Sequence, residues 1–149
     1  IIRGDRDIPL ICHDGLKEMS FGDWEGQDQE TIKSMEKENH FNFWNVPSKY
    51  IPTGNGETFN EVKERSFKTI NDILQKEKGK TILIVTHTIT LKSYLTELEN
   101  KDIDTLWDHP FIKQTSLTEI NFTEYGYEIP LVACMEHHKY SKKEYNEFE

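Results

Sequence analysis

Thr81–Thr86 has the sequence TILIVT, a nearly unbroken run of β-branched and apolar residues. Such a run, placed between two segments of helical periodicity, is typical of a strand buried on both faces in a parallel sheet covered by helices. His87 follows directly, and helical spacing resumes from Ile89 to about Leu98. The sequence therefore predicts an α/β fold with His87 at the carboxyl end of a strand, where such sheets bind ligands.

The segment before this strand predicts an amphipathic helix. Thr58 and Glu61 have the spacing of a capping box, in which each side chain bonds the other's backbone N–H. Acidic residues gather at the start of the segment and lysines at its end, as the helix dipole favours, and Gly79 is expected to end the helix. The positions that recur at helical spacing are Phe59, Val62, Ser66, Ile70, Ile73 and Leu74.

The amino-terminal part is less regular. Ile8–Cys12 (IPLIC) predicts a strand or an extended segment, and residues from Asp28 to about Asn39 predict a surface helix. His40–Asn55 combines many aromatic residues with prolines and a glycine, which favours a long irregular loop. That loop is either a lid or binding loop, or a loop that aromatic packing pins to the core.

The carboxyl-terminal part predicts a β-hairpin. Ser116–Thr123 alternates apolar and polar residues, Tyr125–Gly126 suits a turn, and Tyr127–Met135 supplies the second strand. Pro130 favours an edge position for that strand because proline has no N–H to donate. The charged tail from His138 is expected to fray.

Composition excludes several classes of function. The length suits one domain, and 18 Lys and Arg against 27 Asp and Glu give a net charge of −9. Nucleic acid is therefore not an expected partner, because binding phosphates requires a basic face. The sequence has no apolar stretch of membrane-spanning length, so a membrane is not expected either. Two cysteines are too few for a disulfide framework, which favours a reducing, cytoplasmic compartment.

Two side chains are candidates for chemistry. His87 could bind or protonate a phosphoryl oxygen at the start of the helix, although a structural hydrogen bond is the commoner role of a histidine there. Glu18 stands in the loop Leu16–Gly26 (LKEMSFGDWEG), where apolar neighbours could desolvate its carboxylate and suit it to act as an acid. The alternative for Glu18 is an exposed loop carboxylate.

Neither a cofactor nor a metal is expected. The sequence lacks a P-loop, a G-x-G-x-x-G motif and a C-x-x-C motif, and Gly54–Gly56 suits a turn. His137 and His138, with Cys134 nearby, are poorly placed to hold one ion, because neighbouring strand residues point to opposite faces.

Taken together, four segments resemble the histidine phosphatase superfamily, in the branch of phosphoglycerate mutase-like phosphatases. Leu16–Gly26 resembles the family block L-x-E-x-x-F-G-x-W-E-G, and Gly56–Thr58 resembles the G-E-[ST] element that opens a helix. Thr81–His87 resembles the strand ending in V-[ST]-H, and Thr115–Phe122 resembles a later edge region. Order and spacing agree over essentially the whole sequence.

This resemblance implies a three-layer α/β/α fold with a mostly parallel sheet, and phosphoryl transfer from a small phosphorylated substrate through a phosphohistidine. It implies that Glu18 is the general acid that protonates the leaving oxygen, and that His87 binds the phosphoryl group and stabilises its charge. Thr88 and Trp24 are the implied substrate-binding residues, and the aromatic segment around Trp44 is implied to shape the pocket. It implies no metal or dissociable cofactor.

The sequence departs from the family in two respects. The R-H-G-x-[ST] strand with the nucleophilic histidine, and the next arginine-bearing element, do not occur. The 149 residues are therefore expected to be a partial domain whose nucleophile lies before Ile1, and Thr81–Thr86 is expected to expose an apolar edge. Thr88 replaces a common glycine, and its Cβ could crowd a backbone N–H near phosphate.

Three functions stay open from the sequence. The first is a phosphatase of this superfamily, and the second is a phosphoglycerate mutase, which shares the first half-reaction. The third is a naturally short, non-catalytic protein with a phosphate-binding or regulatory role. The sequence leaves the oligomeric state undetermined.

Overall fold

The computed structural model describes residues 3–108 and 110–138. The chain divides into two units, Ile1–Trp107 and Asp108–Glu149. The first unit contains the helices α1 (Gln29–Met35), α2 (Lys37–Asn45), α3 (Phe59–Lys76) and α4 (Thr88–Leu98). It also contains short 3₁₀ turns at Asp14–Leu16, Gly22–Trp24, Pro47–Lys49 and Ile103–Thr105. The second unit contains the strands β1 (Leu117–Thr123) and β2 (Gly126–Cys134).

Helix α3 confirms the predicted amphipathic helix. Glu61 N–H donates to Thr58 Oγ1 at 3.2 Å, and Thr58 N–H donates to Glu61 Oε2 at 2.7 Å, so both halves of the capping box are formed. These bonds hold the pKa of Glu61 below its ordinary value. The helix ends at Lys76, shortly before Gly79. Its buried side chains are Phe59, Val62, Ser66 and Ile70.

Thr81–Thr86 has no assigned helix or strand, so the prediction of a strand buried on both faces is wrong for the described residues. Ile82 and Ile84 are half-buried, whereas Leu83 and Val85 are 62% and 69% exposed. This alternation is that of a strand, but no element of the described ranges covers its second face. The one sheet within the described residues is the antiparallel pair of β1 and β2. The exposure of apolar side chains in this segment was predicted. The mostly parallel sheet and the three-layer arrangement stay predictions.

The prediction of an irregular loop over His40–Asn55 is wrong for its first part, because α2 continues to Asn45. The predicted helix from Asp28 to Asn39 is instead divided at Glu36, whose backbone (φ −129°, ψ 52°) separates α1 from α2. The physical reason is aromatic packing: a helix turns Phe43 into the core, where it is 4% exposed.

The core of the first unit is an aromatic cluster centred on Phe43. Its ring centroid lies 5.0 Å from that of Phe59 and 5.1 Å from that of Tyr50. Trp24 and Trp107 each lie 5.7 Å from it. Tilted and edge-on pairs at such distances stabilise a fold by about 0.5–1.5 kcal/mol each beyond burial. The other buried members of the core are Met19, Ile32, Val62, Ile89, Ile103 and Leu106.

Helices α3 and α4 pack against each other. The rings of Phe67 and Tyr94 lie 6.0 Å apart, and Lys63 Nζ lies 2.8 Å from Glu97 Oε2. Most of α4 is buried by this packing, including Thr90, Ser93 and Tyr94 near its middle and start. The direction of α4 is therefore set by α3.

The second unit confirms the predicted hairpin. β1 and β2 pair antiparallel, with Leu117 opposite Cys134 and Thr123 opposite Gly126. Pro130 lies within β2. The register shifts twice along the pair, which marks irregularities of the bulge type.

Two predictions about the rest of the chain have different outcomes. Ile8–Cys12, like Thr81–Thr86, has no strand pairing in the described residues, so the strand alternative is not seen there. The tail predicted to fray falls mostly on residues 139–149, outside the described residues. Among the residues that are described, no helix combines the length and the apolar character needed to cross a membrane.

We expect Thr58→Ala to lower the free energy of unfolding by about 1 kcal/mol, because the substitution leaves an N–H at the start of α3 without its cap. Urea denaturation followed by circular dichroism measures this change. The matched control is Asn60→Ala, at an exposed position of the first turn, where alanine has the higher helix propensity. A Thr58→Ala protein as stable as the parent would contradict the role of the capping box.

Candidate active site

The loop of residues 13–26 lies closely on α3 and on the segment before it. A Cβ on Gly15 would come 1.9 Å from Thr69 Oγ1, so no larger residue fits where the loop crosses α3. A Cβ on Gly22, whose φ is +59°, would come 1.8 Å from the carbonyl oxygen of Thr53. Glycine is therefore required at both contacts, and the loop has little freedom to move.

Hydroxyl groups near α4 hold the same loop from the other side. Thr86 Oγ1 donates to the Leu16 carbonyl at 2.8 Å, and Thr90 Oγ1 donates to the Lys17 carbonyl at 2.6 Å. Both carbonyls belong to the residues that lead into Glu18. The loop is thus fixed between α3 and the amino end of α4.

The Glu18 carboxylate lies at the amino end of α4. Its Oε1 accepts the N–H of Thr90 at 3.2 Å and the N–H of Met19 at 3.0 Å. Its Oε2 accepts the N–H of Ile89 at 3.3 Å. The first N–H groups of a helix have no partner within the helix and attract negative charge. Glu18 therefore occupies an anion-binding position, and it is half-buried rather than a freely exposed loop carboxylate.

His87 and Thr88 lie at the same helix end. His87 is the N-cap residue, with extended backbone (φ −117°, ψ 169°) and an exposed side chain that makes no capping bond. Its carbonyl accepts the N–H of Leu91 at 2.9 Å. Thr88 is the first residue of α4. The structure thus brings three of the four predicted site residues, Glu18, His87 and Thr88, to one end of one helix.

Trp24 is placed differently from these three residues. Its side chain is 7% exposed, and its indole N–H donates to Glu36 Oε1 at 3.1 Å. One edge of the ring, together with Trp44, lines an open cleft of about 310 Å³. Neither Glu18 nor His87 lines that cleft. Trp24 therefore supports the aromatic core, and its predicted contact with substrate stays a prediction.

Tyr50 is a buried member of the aromatic core. Its hydroxyl is buried, and no hydrogen-bond partner for it occurs in the described residues. Burial, with a smaller contribution from the negative charge of Glu36, raises the pKa of Tyr50 to about 12. Tyr50 serves as a packing residue, with its ring 5.1 Å from that of Phe43.

The sequence analysis did not identify Arg65 and Glu57 as site residues. Arg65 Nε and Nη2 donate to the two Glu57 oxygens at 2.6 and 2.8 Å, a bidentate ion pair. Its Nη1 donates to the carbonyls of Gly15 and Lys17, and its Nη2 donates to that of Glu18, at 3.0–3.2 Å. The available signal was slight: arginine is scarce, and Arg65 lies within a helix that opens just after Glu57.

Glu57 also bonds the loop directly. Its Oε2 accepts the N–H of Ser20 at 2.9 Å, and its own N–H donates to the Ser20 carbonyl at 2.9 Å. Burial on its own acts to raise the pKa of Glu57, but the hydrogen bonds from Arg65 and Ser20, together with the charge of Arg65, outweigh it. The net result is a pKa below the ordinary value of 4.5.

Within residues 3–108 and 110–138, no three His, Cys, Asp or Glu side chains are grouped to hold a metal ion. His137 bonds the Thr115 carbonyl at 2.9 Å, and His138 contacts the Thr115 hydroxyl.

The amino end of α4 combines two chemical abilities. Its N–H groups bind the Glu18 carboxylate, and His87 is the N-cap residue directly before them. Binding an anion and transferring a proton are two of the requirements of phosphoryl-transfer chemistry. A sequence profile of the histidine phosphatase superfamily (branch 1) matches residues 1–134. The chain belongs to this superfamily, as its motifs predicted.

One curated relative of the chain is named as a phosphatase. The chain is 28% identical over 107 residues to the adenosylcobalamin/alpha-ribazole phosphatase of Escherichia coli (strain K12), covering 72% of the chain and 52% of that protein. It therefore spans about half the length of this curated relative.

Solved structures show the same fold. Bacillus stearothermophilus YhfR is 32% identical with a TM-score of 0.86, and the match covers 91% of the chain and 67% of YhfR. The alpha-ribazole phosphatase from Shigella flexneri is 26% identical with a TM-score of 0.75, covering 89% of the chain and 65% of that structure. The predicted phosphoglycerate mutase-like relationship is thereby confirmed.

We expect Glu57→Gln to destabilise the protein by about 1 kcal/mol at neutral pH, because a bidentate ion pair becomes a weaker neutral contact. Since folding lowers the pKa of Glu57, its stabilising effect is present above pH 4.5 and is lost as the pH falls through the folded-state value. The two proteins should therefore converge in stability as the pH is lowered below 4.5.

Urea denaturation at several pH values between about 3 and 7 measures this difference. Glu64→Gln, at an exposed position of α3, is the matched control. A stability difference that is the same at every pH would show that the charge of Glu57 is not what stabilises the loop.

Proposed function

We propose that the protein is a phosphatase that hydrolyses small phosphomonoesters through a phosphohistidine intermediate. One observation supports this most strongly: directly after His87, the N–H groups of Ile89 and Thr90 each bind one oxygen of the Glu18 carboxylate. Phosphoryl oxygens are likewise anionic and likewise accept N–H donors at a helix start.

In the first half-reaction, the amino end of α4 and His87 bind the phosphoryl oxygens and stabilise the negative charge of the transition state. The phosphoryl group takes over the N–H donors of Ile89 and Thr90, which releases the Glu18 carboxyl for proton transfer. Once released, the Glu18 carboxylate takes up a proton from solvent. A nucleophilic histidine nitrogen then forms a bond to phosphorus, the ester P–O bond breaks, and Glu18 gives that proton to the leaving oxygen.

In the second half-reaction, a water molecule attacks phosphorus. Glu18, now ionised, takes the water proton, the P–N bond breaks, and inorganic phosphate leaves. We place the nucleophilic histidine before residue 1, because the R-H-G motif does not occur in the 149 residues and the chain spans 52% of its E. coli relative.

The names of the relatives suggest where to begin with substrates. Alpha-ribazole phosphate is the natural first compound to test, because two relatives are named for its hydrolysis. Thr88, at the first turn of α4, and Trp24 are our candidates for substrate contact.

The two free cysteines, Cys12 and Cys134, fit the predicted reducing, cytoplasmic compartment.

We expect His87→Ala in the protein of full natural length to lower kcat/KM for p-nitrophenyl phosphate by about 100-fold or more, because a donor to the transition-state charge is lost. His40→Asn, in α2, is the control and should retain activity. Release of p-nitrophenol measures the rate, and acid-labile phosphate on the protein measures the phosphohistidine.

Two results would overturn parts of this proposal. Parental activity in His87→Ala would overturn the role of His87. A full-length protein that neither hydrolyses p-nitrophenyl phosphate nor forms an acid-labile phosphoenzyme would overturn the phosphatase and favour a non-catalytic phosphate-binding protein. Transfer to phosphoglycerate in place of hydrolysis would favour the mutase.

We expect Glu18→Gln to discriminate between leaving groups. For glycerol 2-phosphate, whose alkoxide must be protonated, kcat/KM should fall by about 100- to 10,000-fold. For p-nitrophenyl phosphate the fall should be less than about tenfold, because p-nitrophenolate leaves without a proton. Glu64→Gln is the control. Equal losses for both substrates would exclude Glu18 as the general acid.

A further inference from the structure

The side chain of Arg65 donates hydrogen bonds to groups outside α3, the helix that carries it. Its three nitrogens reach three backbone carbonyls of the loop and both oxygens of Glu57. The three carbonyls belong to Gly15, Lys17 and Glu18, so they cluster at the residue that carries the candidate acid. A guanidinium offers five N–H donors in a fixed plane, which suits this set of acceptors better than a single ammonium.

Glu57 extends the same contact beyond Glu18. It bonds Ser20 through both its carboxylate and its backbone N–H. The backbone is thus held on both sides of residue 18. Arg65 binds the carbonyl of residue 18 and those of two residues before it, and Glu57 binds the backbone of residue 20. Arg65 and Glu57 thus hold the acid through its backbone, and in the proposed mechanism its carboxyl moves from the N–H groups of α4 to a leaving oxygen.

The burial of the pair argues against a role in core packing. The side chains of Arg65 and Glu57 are 23% and 25% exposed, so neither fills the interior. Both lie outside the aromatic cluster, which reaches the loop at Met19 and Trp24. What Arg65 and Glu57 determine is therefore the path of residues 15–20 relative to α3, and α3 in turn packs against α4.

We propose that Arg65 is a positioning residue, held in place by Glu57, that keeps the Glu18 carboxyl at the distance from α4 that proton transfer requires. This proposal rests on the proposed function, in which Glu18 is the general acid. It does not require contact between Arg65 and the substrate. An error of about 1 Å in the position of a catalytic group can cost about 100-fold in rate.

The test compares Arg65→Lys with Glu18→Gln in the protein of full natural length, using kcat/KM, which reports on the first phosphoryl transfer. Arg65→Lys keeps the charge but loses the fork of donors. For glycerol 2-phosphate we expect a loss of about 10- to 100-fold, and for p-nitrophenyl phosphate a loss of less than about threefold. Lys68→Met, which breaks the exposed Lys68–Asp72 pair on the same helix, should change neither value.

A double mutant shows whether Arg65 acts through Glu18. If it does, Arg65→Lys combined with Glu18→Gln should hydrolyse glycerol 2-phosphate as fast as Glu18→Gln alone, within about twofold. A further loss of the full single-mutant size would overturn the proposal. So would an Arg65→Lys protein that loses both substrates equally.

Amide hydrogen exchange supplies a readout besides activity. The Ile89 and Thr90 N–H groups are protected by the Glu18 carboxylate, so they should exchange faster in both Arg65→Lys and Glu18→Gln, and not in Lys68→Met. Unchanged exchange in Arg65→Lys would overturn the positioning role. If Arg65→Lys does not fold, Glu57→Gln takes its place, with the same pattern of rates and exchange expected.

The two proposals fail in different ways. If Glu18→Gln itself loses both substrates equally, the acid role of Glu18 is wrong, and the positioning role is wrong with it. If Glu18→Gln discriminates between the substrates and the Arg65 and Glu57 variants do not, the positioning role alone is wrong.

Discussion

A carboxylate bound to the first N–H groups of α4 is the contact on which the rest of the site depends. Glu18 reaches Ile89 and Thr90 across 71 and 72 positions of the sequence. Those N–H groups cannot be bonded within the helix, so a partner must come from elsewhere in the chain or from solvent. Because the partner is an anion on a fixed loop, the helix end is arranged for negative charge before a substrate binds. His87, the N-cap residue, shares that position.

Two kinds of force hold the loop that carries Glu18, and they do different work. At its far end, Trp24 packs into the aromatic cluster around Phe43, where contact is strong but weakly directional. Near Glu18, hydrogen bonds from Arg65 and to Glu57 fix individual backbone groups. Apolar packing can decide that a loop lies against the core, but it cannot place one carboxyl oxygen within hydrogen-bond distance of two chosen N–H groups. The directional contacts are therefore found where the chemistry is proposed.

The sequence predicts the parts of this structure that depend on neighbouring residues. The capping box and stripe of α3, the hairpin, and the placement of His87 before a helix all follow from local spacing. The helix α2 does not follow from local spacing, because Phe43 contacts several elements at once and α2 has no single polar face that would reveal a helix. Arg65 was missed for a related reason: most of its acceptors are backbone carbonyls, which every residue has, so no side-chain pattern signals them. Only the three-dimensional path of the loop brings them together.

Thr81–Thr86 leads into the amino end of α4 and is held there by contacts other than strand pairing. Its side chains alternate as in a strand, with Leu83 and Val85 exposed, yet it pairs with no strand in the described residues. Its end is fixed instead by the Thr86 hydroxyl on the Leu16 carbonyl and by the first turn of α4. Both contacts lie within the first unit. In the described residues, the amino end of α4 and the Glu18 carboxylate are thus held together by helix packing and loop hydrogen bonds.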